Sequence, residues 1–171
     1  MVETSPWIWL SAPIASLACA VLVHELGHAL GATAGGRRVQ RLVFGVGRPT
    51  WVLRRRRPAL LVRPLLPLGG ACVTDDGRSR AARWPIALEL AAGALANAAI
   101  GALLWWATAR TSSAWCGWLA WGQLVVAIAQ LLPLRFGRGE HRLVTDGWRL
   151  LEVLRAGPGG ARDSVGVSAS T

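Results

Sequence analysis

The chain contains no lysine: its 19 basic residues are all Arg, set against 9 acidic ones, and charged residues make up only 16% of the 171 positions. With 53% hydrophobic residues, so little charge argues against an ordinary soluble domain of this size. Cysteine is scarce as well. Cys19, Cys72 and Cys116 are odd in number and lack metal-ligand spacing, which argues against a disulfide framework or a thiolate metal site. They read as small buried residues. The N-terminal stretch carries Glu3 and no Lys or Arg, and Arg37 and Arg38 directly follow the first apolar run. Both features argue against a cleaved signal peptide, despite the small residues of "ATAG" at 32–35. No internal repeat is visible. The absence of Lys, with abundant Arg and Ala, is the mark of a GC-rich bacterial genome.

Three long apolar runs are present instead, from Trp7 to about Ala34, from Pro85 to Ala109 and from Ala114 to Leu134. Each is long enough to cross a hydrocarbon core, which needs ~20 residues of helix. The formal charge of +10 suggests nucleic acid, but the arginines are clustered: residues 37–83 hold twelve of them, including Arg54 to Arg57. Most of the others follow the third run. The positive-inside rule then gives an N-terminus outside, the basic connection inside, the turn "RTSSA" outside and the C-terminus inside. Topology accounts for the charge, so the expected surroundings are a bilayer, in the cytoplasmic membrane, and not a nucleic acid. Trp7, Trp9, Trp84, Trp115 and Trp148 lie near the ends of these segments, where an amphipathic ring prefers the interface.

Between the first two runs, β-branched and apolar residues are interrupted by Gly and Pro, which predicts short strands. Val39, Arg41 and Val43 alternate with Gln40, Leu42 and Phe44, "GVGRP" reads as a turn and "RRRRP" as a hairpin tip. The proline-broken stretch from Ala59 to Val73 predicts an edge strand or an extended loop. After the third run, "RFGRGEHRLVT" reads as a loop and "DGWRLLEVLR" as a short amphipathic helix. The predicted fold is an all-α membrane protein: a minimal core of three transmembrane helices, with a small β-hairpin or edge-strand insertion between the first two. Residues 1–155 form one domain and 156–171 a disordered tail.

Inside the first run stands "HELGH". On a helix His24 and His28 are one turn apart on one face, so both imidazoles can meet one metal ion. Glu25 is offset by about 100°, which suits a carboxylate that works on water beside the metal. A charged side chain at the membrane centre costs about 2.5 to 3.5 kcal/mol even on lenient scales, and metal binding offsets that cost. A catalytic zinc usually takes three protein ligands. The third falls to His141 or Asp146, with Asp75, Asp76 and Glu140 as weaker choices. His24 lies roughly 25 Å from Trp7 along a helix, deep toward the inner side, where Asp146 follows the third run. Asp146 opens an apolar helix that can pack back on the bundle, whereas His141 stands between Glu140 and Arg142. The alternative for Asp146 is an ordinary helix N-cap.

"HELGH" in a first apolar helix, "PLGG" ending at Gly70, "AGALAN" ending at Asn97 and "QLLPL…TDGWRLL" together resemble the site-2 protease (M50) family of intramembrane zinc metalloproteases. The resemblance spans about residues 15–155. It implies His24, His28 and Asp146 as zinc ligands, Glu25 as general base, and membrane-spanning substrates. Gly93-Ala94 stands where the family often has Gly-Pro, Gln130 where it commonly has Asn, and an insertion separates Pro133 from Asp146. Asn97 and Gln130 then form a secondary polar set that positions substrate or stabilises an oxyanion.

The expected activity is hydrolysis of peptide bonds within or near membrane segments of a protein or peptide, either to release a regulator or to process a precursor. Gly69 and Gly70 would allow close approach of a substrate strand. With no appended PDZ-like or nucleotide-sensing domain visible, regulation is expected from a membrane partner. Two other functions fit parts of the pattern: a non-proteolytic metal-binding scaffold for a partner helix, and an iron oxygenase using two His and one carboxylate. An intact Glu25 argues against the first, and the lipid setting and Glu25 against the second.

Overall fold

A computed structural model describes residues 6–53, 58–75, 83–137 and 143–156. The elements follow in the order α1 (Pro6–Ala34), β1 (Arg38–Val46), β2 (Trp51–Leu53), β3 (Ala59–Val62), β4 (Leu65–Asp75), α2 (Arg83–Thr111), α3 (Ala114–Leu131), β5 (Arg135–Phe136), β6 (Leu143–Val144) and α4 (Asp146–Arg155). Among the described residues three helices are long and apolar enough to cross a membrane: Ser11–Ala34, Arg83–Thr111 and Ala114–Leu131.

These helices pack through small residues. Gly27 and Gly31 of α1, one turn apart, and Gly35 just beyond its end lie against α2, and a Cβ on Gly27 would come within 2.6 Å of the Ala92 carbonyl oxygen. On the other side of α1, a Cβ on Gly122 of α3 would overlap the Ser16 hydroxyl, which donates to the Trp118 carbonyl at 2.6 Å. Stripes of glycine and alanine let helix backbones approach where van der Waals packing has to supply the association energy. The interior is accordingly built from Ala12, Ala20, Ala94, Ala120 and Ala127, while Leu26, Leu30, Leu95, Leu103, Trp105 and Ile128 face outward. In water such an apolar exterior would be an aggregation liability.

The segment between α1 and α2 is larger than a hairpin. It forms a four-stranded sheet in the order β2-β3-β1-β4. β2 and β3 are the expected antiparallel hairpin, whose tip at 54–57 lies outside the described residues. β3 then runs parallel to β1, Arg41 opposite Ala59 and Phe44 opposite Val62. β3 is therefore internal, and the edge position expected for the Ala59–Val73 stretch belongs to β4 alone. β4 pairs antiparallel with β1, Leu42 opposite Cys72 and Phe44 opposite Gly70. The register then jumps, with Val46 opposite Leu65, so "LPLG" forms a bulge opposite the end of β1. The alternation expected along β1 does not survive: Leu42, Val43, Phe44 and Gly45 are all buried, because the central strand is covered on both faces.

Beyond α3, where a loop is expected, the structure has a two-stranded sheet. β5 and β6 pair antiparallel, Arg135 opposite Val144 and Phe136 opposite Leu143. They return the chain to the end of α3, where α4 begins.

Candidate metal centre

α1 carries His24, Glu25 and His28 on buried surface, with exposures of 3, 5 and 7%. The two imidazoles lie one above the other across the α1–α2 interface because α2 presents Gly93 there: a Cβ would stand 2.7 Å from Nε2 of His28 and 2.9 Å from Cε1 of His24. On its far side, the Nδ1–H of His28 donates to the backbone carbonyl of Glu89 at 2.7 Å. That bond leaves Nε2 as the free donor of electrons.

Asp146 arrives from the other end of the chain. Its Oδ2 lies 2.9 Å from Nε2 of His24 and 3.0 Å from Nε2 of His28, and the two Nε2 atoms are 3.0 Å apart. Asp146 is not the helix cap. Thr145 takes that role, accepting from the Trp148 amide at 3.4 Å, which leaves the Asp146 carboxylate free to turn inward. Thr145 also donates to the Leu132 carbonyl at 2.5 Å and accepts from the Leu134 amide at 3.1 Å, fastening the start of α4 to the end of α3.

Two imidazole nitrogens and one carboxylate oxygen, mutually within about 3 Å, match the donor set of a tetrahedral zinc site with one position open. Metal–ligand bonds of about 2.0–2.2 Å place such atoms little more than 3 Å apart. Among the described residues these are the three His, Cys, Asp or Glu side chains that converge in this way. Asp75 ends β4 opposite Arg38, apart from that group, whereas Asp76, Glu140 and His141 lie outside the described residues.

Glu25 points toward β4. A Cβ on Gly70 would stand 2.7 Å from its Oε1, so the strand crosses directly over the carboxyl, while Oε2 is buried with no hydrogen-bond partner among the described residues. Nearby, burial and then the charges of Glu89 and Glu25 push the Cys72 thiol up to about 12, which keeps it neutral. Gly69, at φ +156, lies in the bulge against Val46. Gln130 is half-buried in the last turn of α3, beside Gly147. Asn97 is wholly enclosed, and among the described residues neither of its amide atoms has a hydrogen-bond partner.

Several supporting residues escaped the sequence reading. The Glu89 side chain, buried in α2, pairs with Arg37 and accepts from the Thr74 hydroxyl at 3.2 Å, so the α1–β1 link, β4 and α2 are tied together behind His28. An acidic residue inside an apolar helix was the available signal. Gln123, 2% exposed in α3, was detectable in the same way.

Comparison with known proteins matches residues 12–114 to the family described as Peptidase family M50. This chain belongs to that family. It is also 36% identical over 95 residues to the "Regulator of sigma-E protease RseP" of Salmonella typhimurium (strain 14028s / SGSC 2262) and to the "Regulator of sigma E protease" of Salmonella typhi. In both cases the match covers 55% of this chain and 20% of the relative, so the chain spans about a fifth of their length. His24, Glu25, His28, Gly70 and Asn97 fall inside the M50 match. Asp146 and Gln130 fall beyond it, and the place of Asp146 in the site rests on its distances to the two histidines.

Proposed function

We propose that this M50 protein is an intramembrane zinc metalloprotease that hydrolyses peptide bonds within or near the membrane segments of a protein or peptide substrate. The observation that carries the reading is the convergence of Nε2 of His24, Nε2 of His28 and Oδ2 of Asp146, with Glu25 adjoining, inside helices whose outward surface is apolar. Zinc in that position would polarise the scissile carbonyl and make water acidic enough to attack near neutral pH.

The chain's own residues do the rest. Glu25 takes a proton from the attacking water at its unpaired Oε2 and passes it to the departing amide nitrogen. The water oxygen joins the carbonyl carbon as the C–N bond breaks, and the products are a carboxylate and an amine. Gln130, the amide with accessible surface, is assigned to positioning the substrate or its developing oxyanion.

A substrate helix hides its carbonyls in its own hydrogen bonds and must unwind before attack, at a cost of several kcal/mol per unpaired group in lipid. β4 supports a way to offset that cost. It is the outer strand of the sheet and passes over Glu25 at Gly70, so an unwound segment added along its free edge would be hydrogen-bonded beside the carboxyl. The placement follows from the same reading: three crossings of the cytoplasmic membrane, with residues 37–83 and the C-terminus inside and 111–113 outside.

The test is co-expression with a tagged single-span membrane substrate. Cleavage by wild type and its loss in Glu25→Gln, with zinc retained, is the expected result. Cleavage by Glu25→Gln at the wild-type rate would remove Glu25 from the chemistry. Zinc-loaded wild type that cleaves nothing while still capturing a partner helix would favour the scaffold.

A further inference from the structure

His28 has a support behind it and His24 has none. Nδ1 of His28 is held by the Glu89 carbonyl, whereas Nδ1 of His24 is buried without a hydrogen-bond partner among the described residues. A histidine that ligates a metal almost always donates its other ring N–H to a carboxylate, a carbonyl or a water. The question is what receives this one.

Gly93, Asn97 and Gly101 are spaced at one turn on one face of α2. At one end of that row, a Cβ on Gly93 would stand 2.9 Å from Cε1 of His24, the ring carbon between the two nitrogens. At the other end, a Cβ on Gly101 would stand 3.2 Å from Cβ of Gln123 on α3. Asn97 lies between, at 0% exposure, with Nδ2 and Oδ1 both unpaired, and Oε1 of Gln123 is buried and unpaired as well. Among the described residues, four orphaned polar atoms therefore lie along one enclosed stretch of the helix interface, between the levels of Gly93 and Gly101 on α2. Leaving each of them unmet would cost about 1–3 kcal/mol.

We propose that Asn97 and Gln123 hold a buried water against Nδ1 of His24, which makes Asn97 a positioning residue for that ligand. The water accepts from the Nδ1–H of His24 and the Nδ2–H of Asn97 and donates to Oε1 of Gln123, the roughly three bonds that buried waters make. Oδ1 of Asn97 is left to a second water of the same chain. The three-bond set fixes the imidazole tautomer with Nε2 unprotonated, as the Glu89 carbonyl does for His28. The proposal rests on the metal reading of His24, His28 and Asp146.

The test uses the purified full chain in detergent, with zinc affinity measured by chelator competition and the melting temperature measured on zinc-free protein. Asn97→Leu fills the same space without polar atoms. It should weaken zinc binding about ten- to a hundredfold while leaving the zinc-free melting temperature unchanged or higher. Asn97→Ser, which keeps a hydroxyl and admits a further water, should restore most of the affinity, and Gln123→Met should lose less than Asn97→Leu. Wild-type affinity in Asn97→Leu would overturn the proposal. So would a fall in zinc-free stability that tracks the loss of zinc in both Asn97 variants, since that marks a packing residue. A wild-type chain that binds no zinc would bring down the metal reading itself, and this inference with it.

Discussion

Gly147 abuts Leu131: a Cβ added to Gly147 would overlap the Leu131 carbonyl oxygen, so α4 can start where it does only because the residue after Asp146 has no side chain. The Asp-Gly pair thus joins the proposed third ligand to the contact that places it. Gly147→Ala should push α4 off the end of α3 and carry Asp146 away from the histidines. The expected outcome is loss of at least about tenfold in zinc affinity with the helical content kept, measured by chelator competition and circular dichroism. Unchanged affinity would mean that α4 is placed by Thr145 alone.

The proposed ligand set predicts a pattern among single variants. Alanine at His24, His28 or Asp146 should empty or strongly weaken the site, because each supplies one of the three converging atoms. Asp75→Ala should leave zinc content as in wild type, since Asp75 ends β4 opposite Arg38. Metal analysis of the purified variants decides it, and full zinc in Asp146→Ala would remove the third ligand.

Gly70 and Gly93 should fail differently. A side chain on Gly93 enters the space of both imidazoles, so Gly93→Ala should lose zinc and activity together. One on Gly70 meets the Glu25 carboxyl instead, so Gly70→Val should keep zinc while activity falls by on the order of a hundredfold, the scale of a lost general base. Parallel zinc and cleavage assays would show it; loss of zinc in Gly70→Val would contradict the separation.

Gly117 provides a control for these glycine changes. A Cβ there would meet only the Thr108 methyl at 3.6 Å, an ordinary contact. Gly117→Ala in α3 should therefore leave activity untouched and stabilise the protein by roughly 0.5–1 kcal/mol through the helix preference of Ala. Thermal unfolding in detergent would detect the change, and a lower melting temperature would show the α2–α3 contact to be tighter than drawn.

Topology can be read with single cysteines in a background lacking Cys19, Cys72 and Cys116. Thr50→Cys should be protected from an impermeant reagent applied outside and Ser112→Cys should react with it. Ser112 sits in the α2–α3 turn at φ 52, exposed. External labelling at Thr50 would reverse the orientation.

The parts of this protein legible in the sequence are those whose signals are local. Three apolar runs became α1, α2 and α3 because hydrophobic length is a property of consecutive residues, and α4 begins at Asp146 as its amphipathic pattern indicates. His24, Glu25 and His28 are likewise local, since helical spacing alone puts the two imidazoles on one face. Tertiary structure decided what depends on distant partners. Spacing left Asp146 undecided between cap and ligand; tertiary structure puts Thr145 in the cap and brings the Asp146 carboxylate to the two histidines. Nor does any sequence period announce that β3 runs parallel to β1, or that β4 crosses Glu25 at a residue without a side chain, because pairing and close approach are set between segments. Glu89 and Asn97 make the same point from within one helix. Glu89 reads as an isolated acid in an apolar run and Asn97 as one polar member of a motif, and only helix packing shows the backbone of Glu89 behind His28 and Asn97 wholly enclosed.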